Sequence, residues 1–106
     1  LKMHLAHNQK ALEKPLDVEL TALRVGDFRL VTFPGELTSE IGMNIKKASG
    51  QPGTFVAGYT NGYIYYAPTA KQRLNTGYAQ EDCDCLVAPE WQKAFESQAL
   101  EMLKGL

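Results

Sequence analysis

The chain has 106 residues, 44% of them hydrophobic and 22% charged, with 11 basic side chains against 12 acidic ones. That length suits one domain, and a chain of this size buries about 65% of the surface its unfolded form exposes, enough for a modest core without disulfide staples. The net charge of −1 excludes a strong electrostatic footprint for nucleic acid. Ordinary apolar content excludes intrinsic disorder, and no apolar run approaches the roughly 20 residues of a transmembrane segment.

The sequence opens Leu1-Lys2-Met3-His4, without an initiator Met at position 1 or a charged-then-apolar leader. It therefore reads as a piece of a longer protein, and its compartment stays open. Residues 1–15 form an N-terminal helical or linker segment, with Leu1, Leu5 and Leu12 on one helical face ahead of Pro15. His4 and His7 lie three apart in this polar stretch. Two metal ligands on a helix face have that spacing, but so do two solvated histidines, and the polar surroundings favour the second reading.

Residues 16–106 read as a single α/β unit bordering on α+β: a small mixed sheet made of an antiparallel hairpin plus a βαβ unit, with helices packed on it. Leu16, Val18, Leu20 and Ala22 alternate with Asp17, Glu19 and Thr21, the period of a half-buried strand. Gly26-Asp27 is a two-residue loop suited to a type II′ turn, and the return strand runs from Phe28 to Phe33. After Pro34-Gly35, the spacing of Leu37, Ile41, Ile45 and Ala48 predicts an amphipathic helix, with Glu36 and Glu40 near its start and Lys46 and Lys47 near its end. Thr54 to Tyr59 is a nearly continuous apolar run, the pattern of a strand covered on both faces. Strand, helix, strand in this order predicts parallel pairing of 28–33 with 54–59. A helical turn is expected at Ala70–Leu74, a short edge strand over Tyr78–Leu86, and a final helix opened by Ala88-Pro89-Glu90, with Trp91, Ala94, Phe95, Ala99, Met102, Leu103 and Leu106 on its apolar face.

Parallel strands end on the same sheet edge, where ligands of open α/β sheets bind. That edge carries Pro34-Gly35-Glu36 from one strand and Thr60-Asn61-Gly62-Tyr63-Ile64-Tyr65-Tyr66 from the other. A carboxylate at a strand end suits a metal ligand or general base, although a first-turn charge on the following helix is the plainer reading of Glu36. Aromatic packing and a tight turn are the plainer readings of the tyrosines and of Asn61-Gly62. Cys83 and Cys85, in C-x-C spacing, do not match the paired C-x₂-C zinc pattern and read as ordinary thiols on one face of an extended segment. No nucleophile elbow, phosphate loop or dinucleotide fingerprint is present.

From Val18 to Leu106 the chain resembles the C-terminal part of the catalytic region of neutral/alkaline, non-lysosomal ceramidases and their bacterial relatives. The resemblance is carried by Val18-Glu19-Leu20-Thr21-Ala22-Leu23-Arg24-Val25-Gly26-Asp27, Phe33-Pro34-Gly35-Glu36, Glu40-Ile41-Gly42, Phe55-Val56-Ala57-Gly58-Tyr59-Thr60-Asn61-Gly62-Tyr63, then Tyr66, Pro68-Thr69 and Gly77-Tyr78. It covers most of this chain and a minor part of a full family member.

The resemblance implies a zinc-dependent amidase that converts N-acylsphingosine to fatty acid and sphingoid base. Glu36 and Tyr66 match two of its metal ligands. The other two ligands are histidines upstream, as is the acid/base histidine, so no catalytic residue falls within this chain and zinc binding by it alone is expected to be weak or absent. Tyr78 matches a tyrosine beside the substrate amide, with Asn61 and Tyr63 as further substrate contacts. Leu37-Thr38-Ser39 stands where the ceramidases carry a Phe-Thr-Thr-type run, and Ala70-Lys71-Gln72-Arg73 where they carry an acidic Glu-Glu-Tyr segment. Two alternatives stay open: a metal-dependent hydrolase on the same scaffold with a non-sphingolipid substrate, and a non-catalytic binding or assembly module. A piece of this kind is expected to show an apolar patch near the site edge and to self-associate.

Overall fold

Gly26 sets the first turn. Its φ of +59° lies in the left-handed region, which costs a residue with a Cβ about 1–2 kcal/mol. The chain reverses there between β1 (Ala22–Val25) and β2 (Phe28–Thr32), antiparallel strands with Val25 opposite Phe28 and Ala22 opposite Val31. The computed structural model describes residues 16–74 and 85–106. The helical segment expected within 1–15 lies outside them, as do His4 and His7.

The hairpin is shorter than the alternation over 16–22 predicts. Thr32 N–H donates to the Thr21 carbonyl at 2.9 Å, but the Thr21 N–H donates to the Thr32 hydroxyl, also at 2.9 Å, instead of to a backbone oxygen. One residue later Phe33 turns its N–H to Ala57. The ladder therefore stops, and Leu16 and Val18 remain exposed outside the sheet.

β4 (Thr54–Ala57) pairs with β2 in parallel, Val31 opposite Val56, so the main sheet has the order β1-β2-β4. The parallel pairing is the one the sequence predicts. Among the described residues the predicted coverage of both faces of β4 is not found: β4 lies at the edge of the described sheet, and Phe55 is 44% exposed, stacked on Phe28 at 5.2 Å. The described helices lie on the other face, where Ala22, Val31 and Val56 meet the core.

The crossover differs from its prediction at one end. Glu36 and Leu37 form a short strand, β3 (Glu36–Leu37), in place of the first helical turn. β3 pairs in parallel with β5 (Tyr66–Ala67) as a separate two-stranded sheet. The helix α1 (Ser39–Ser49) begins after it and buries Ile41 and Ile45, whereas Ala48 is exposed. Gly50, at φ +65°, ends the helix in the left-handed C-cap conformation that glycine adopts most readily.

α2 (Ala70–Leu74) is the predicted helical turn. α3 (Trp91–Lys104) starts just after Pro89-Glu90, and its residues Phe95, Ala99 and Leu103 are buried. It packs on α1 and on β2. The core is Val31, Phe33, Ile41, Ile45, Ala67, Phe95, Ala99 and Leu103. Phe33 stands at its corner, 4.8 Å from the Phe95 ring and 5.2 Å from Trp91. The whole is a small α/β fold with a mixed sheet and a C-terminal helix.

Candidate functional site

The predicted sheet edge is real, and it is knit more tightly than parallel strand ends alone require. After β2 the chain turns at Pro34-Gly35, both buried. The Gly35 carbonyl accepts the Tyr59 N–H at 2.9 Å and the Pro34 carbonyl accepts the Ile64 N–H at 2.7 Å. Glu36 N–H donates to the Tyr65 carbonyl at 2.9 Å, and Thr38 N–H to Ala67 at 3.2 Å. A Cβ on Gly35 would stand 2.9 Å from both the Phe33 ring and the Tyr65 carbonyl. Only glycine lets the two segments approach this closely.

That pairing sets Glu36 opposite Tyr66. Register partners on neighbouring strands stand about 4.8 Å apart and project to the same face. The Thr38 hydroxyl reaches the Tyr66 phenol oxygen at 3.1 Å, with the Gln72 side-chain oxygen 3.5 Å away on its other side. Gln72 is in turn held by the N–H and hydroxyl of Thr69, at 2.9 and 3.2 Å.

Tyr59, Asn61 and Tyr65 have φ of 53°, 62° and 64°. A left-handed tyrosine is costly, and such residues persist only where their surroundings over-determine them. Here the hydrogen bonds to Gly35 and Glu36 do so. The rings of Tyr59 and Tyr63 stack at 5.7 Å with 7° between their planes, and Tyr65 tilts against Tyr63 at 5.3 Å. The Tyr59 phenol lies near the Glu36 carboxylate, and its pKa stands above the ordinary 10.0 through local desolvation first, then the interaction with Glu36 and the charge of Tyr63.

Of the residues singled out in the sequence, Glu36 and Tyr66 are brought together, half-buried. Tyr63 is exposed and stacked on Tyr59, while Asn61 sits exposed in the intervening turn. Tyr78 and Cys83 lie outside the described residues, as does most of the expected edge strand. Cys85 is buried and forms an isolated antiparallel bridge with Tyr65. Sequence reasoning missed Thr38, Tyr59 and Gln72. Thr38 carried a signal as a threonine ahead of a helix, but one that points to capping, not to a phenol.

Phe33 and Ile64 lead from this edge into an apolar cleft of about 560 Å³, lined also by Leu20, Leu86, Trp91 and Phe95. Comparison with protein-family models, with curated proteins and with solved structures finds no match to this chain.

Proposed function

We propose that this chain supplies the Glu–Tyr half of the metal site of a zinc-dependent amide hydrolase of ceramidase type, acting on ceramide or related N-acyl lipids. The supporting observation is the register of β3 and β5, which sets Glu36 directly opposite Tyr66. A carboxylate is an ordinary zinc ligand, and a phenol becomes one when a nearby cation favours loss of its proton. The donor chemistry of this pair fits zinc, but two oxygens are half of a tetrahedral set. Among the described residues no group of three His, Cys, Asp or Glu stands together. The reading therefore needs two histidines from outside this chain, and a third group there to shuttle the proton.

Zinc, when bound, would lower the pKa of a water and polarise the amide carbonyl. The work of this chain's own residues is to hold and orient. Thr38 fixes the Tyr66 oxygen, the kind of outer contact that aligns a metal ligand. Asn61, Tyr63 and Tyr78 would contact substrate. The 106-residue chain by itself is expected to hold no stoichiometric zinc and to hydrolyse no amide.

The test uses the longer protein that the proposal requires, assayed on N-acyl lipids and on simple N-acyl amines, with zinc measured in the same preparations. Glu36→Ala and Tyr66→Phe should each lower zinc content and turnover together. Wild-type zinc and turnover in Glu36→Ala would sink the role of Glu36. Hydrolysis of simple N-acyl amines but of no N-acyl lipid would transfer the site to a non-sphingolipid substrate. The apolar cleft at Trp91 favours a second reading, a binding or assembly module, which inactivity of the longer protein on both substrate sets would support. Under that reading, self-association should appear as concentration-dependent mass in light scattering.

A further inference from the structure

We infer that the surface formed by Glu36, Tyr59 and Tyr63 binds an organic ammonium group. Exposed aromatic rings usually pack flat on apolar neighbours, yet here Tyr59 and Tyr63 are 62% and 54% exposed and stack on each other. A third ring, Tyr65, stands tilted by 59° to Tyr63. The backbone holds this arrangement against its own preference, with left-handed φ at Tyr59 and Tyr65 tied down by Gly35 and Glu36. Exposed aromatic surface, electron-rich on its ring faces, is thus built into the fold.

Charge completes the match. Glu36 is half-buried at the edge that carries these rings, and among the described residues no lysine or arginine is paired to it. The described cation–π pair lies elsewhere, Lys46 over Phe55 at 5.3 Å. One carboxylate beside exposed phenol rings, without a positive charge paired to it, complements a cation. Ring faces offer little to a compact, strongly hydrated metal ion. A substituted ammonium is weakly hydrated and places its carbon groups on the rings while its charge faces the carboxylate. This reading does not rest on the hydrolase proposal, and a metal on Glu36 would compete with the ammonium for the same oxygens.

The experiment is an NMR titration of the 106-residue chain, in the presence of a metal chelator, with choline and with its neutral carbon isostere dimethylbutanol. Choline should saturate in the range of about 1–10 mM, with shifts at the Tyr59 and Tyr63 rings, and the alcohol should bind at least about fivefold more weakly. Glu36→Gln and Tyr63→Leu, both folded by their amide spectra, should each weaken choline by about fivefold or more. Ala48→Gln, on the exposed side of α1, should leave choline binding unchanged. Equal binding of the alcohol, absence of saturation, shifts confined to the Trp91 cleft, or wild-type affinity in Glu36→Gln would each overturn the inference. Choline binding that survives while the longer protein proves inactive on amides would leave this site standing without the hydrolase.

Discussion

The Thr38 hydroxyl lies 3.1 Å from the phenol oxygen of Tyr66, although Thr38 holds the N-cap position of α1. An N-cap threonine ordinarily turns its hydroxyl to a free N–H of the first helical turn. Here no side-chain cap bond forms. The helix start is coupled instead to the second sheet, and the short strand β3 becomes the hinge between the two.

Replacing Thr38 should therefore be felt at Tyr66 and not at the helix end. Thr38→Val and Tyr66→Phe should each cost about 1 kcal/mol, the net worth of one neutral hydrogen bond. The double variant should fall short of their sum by about 0.5–1 kcal/mol, because both remove the same contact. Urea unfolding of the four proteins measures this, and strict additivity would mean that the contact carries no energy.

Gly35 and Gly26 should respond differently to the same added methyl group. At Gly35 a Cβ meets the Phe33 ring, the Tyr65 carbonyl and Ile64 at 2.9–3.0 Å, and neither the core ring nor the paired backbone can yield cheaply. Gly35→Ala should cost about 2–4 kcal/mol. Gly26 has nothing within 4 Å and only its φ of +59° to defend, so Gly26→Ala should cost about 1 kcal/mol and Gly26→Asn less. Thermal unfolding of the three variants ranks them.

The parallel pairing of β2 with β4 and the buried face of α3 were legible because period and punctuation agree there: alternation, then Pro-Gly, then a four-residue spacing. Leu37 misled because its distance to Ile41 suits a helix equally well as a strand residue facing the same core. A two-residue strand has no period to read. The ends of strand pairing at Thr21–Thr32 depend on a side chain replacing a backbone acceptor, which no periodicity encodes. At the site, topology alone brought Glu36 to Tyr66. The supporting contacts of Thr38, Tyr59 and Gln72 depend on close tertiary approach, and their residue types favour caps, strands and turns in isolation.

The helix α1 offers a direct check of that misreading. Ile45 is fully buried, while Ala48, which the spacing also placed on the apolar stripe, is exposed. Ile45→Ala should cost about 2–5 kcal/mol through lost burial and the cavity left behind. Ala48→Gln, a substitution by another good helix former, should stay within about 0.5 kcal/mol of wild type. A large loss at position 48 would mean that a surface absent from this arrangement covers it in solution.

The contact between Tyr59 and Glu36 should be visible as a titration. Desolvation of the hydroxyl, the nearby Glu36 carboxylate and the charge of Tyr63 favour the neutral phenol, so it should ionise above the ordinary 10.0. The unfolded chain loses that proton near pH 10, so the folded state binds more protons over the interval between the two values. Whatever stability the contact contributes is complete below pH 10 and is lost as pH rises through the folded-state pKa. NMR titration of the Tyr59 ring should show the late ionisation, and Glu36→Gln, which removes the charge but keeps an acceptor, should bring it back toward 10. An ordinary Tyr59 titration in the wild-type chain would mean that the carboxylate and the phenol do not stay in contact in solution.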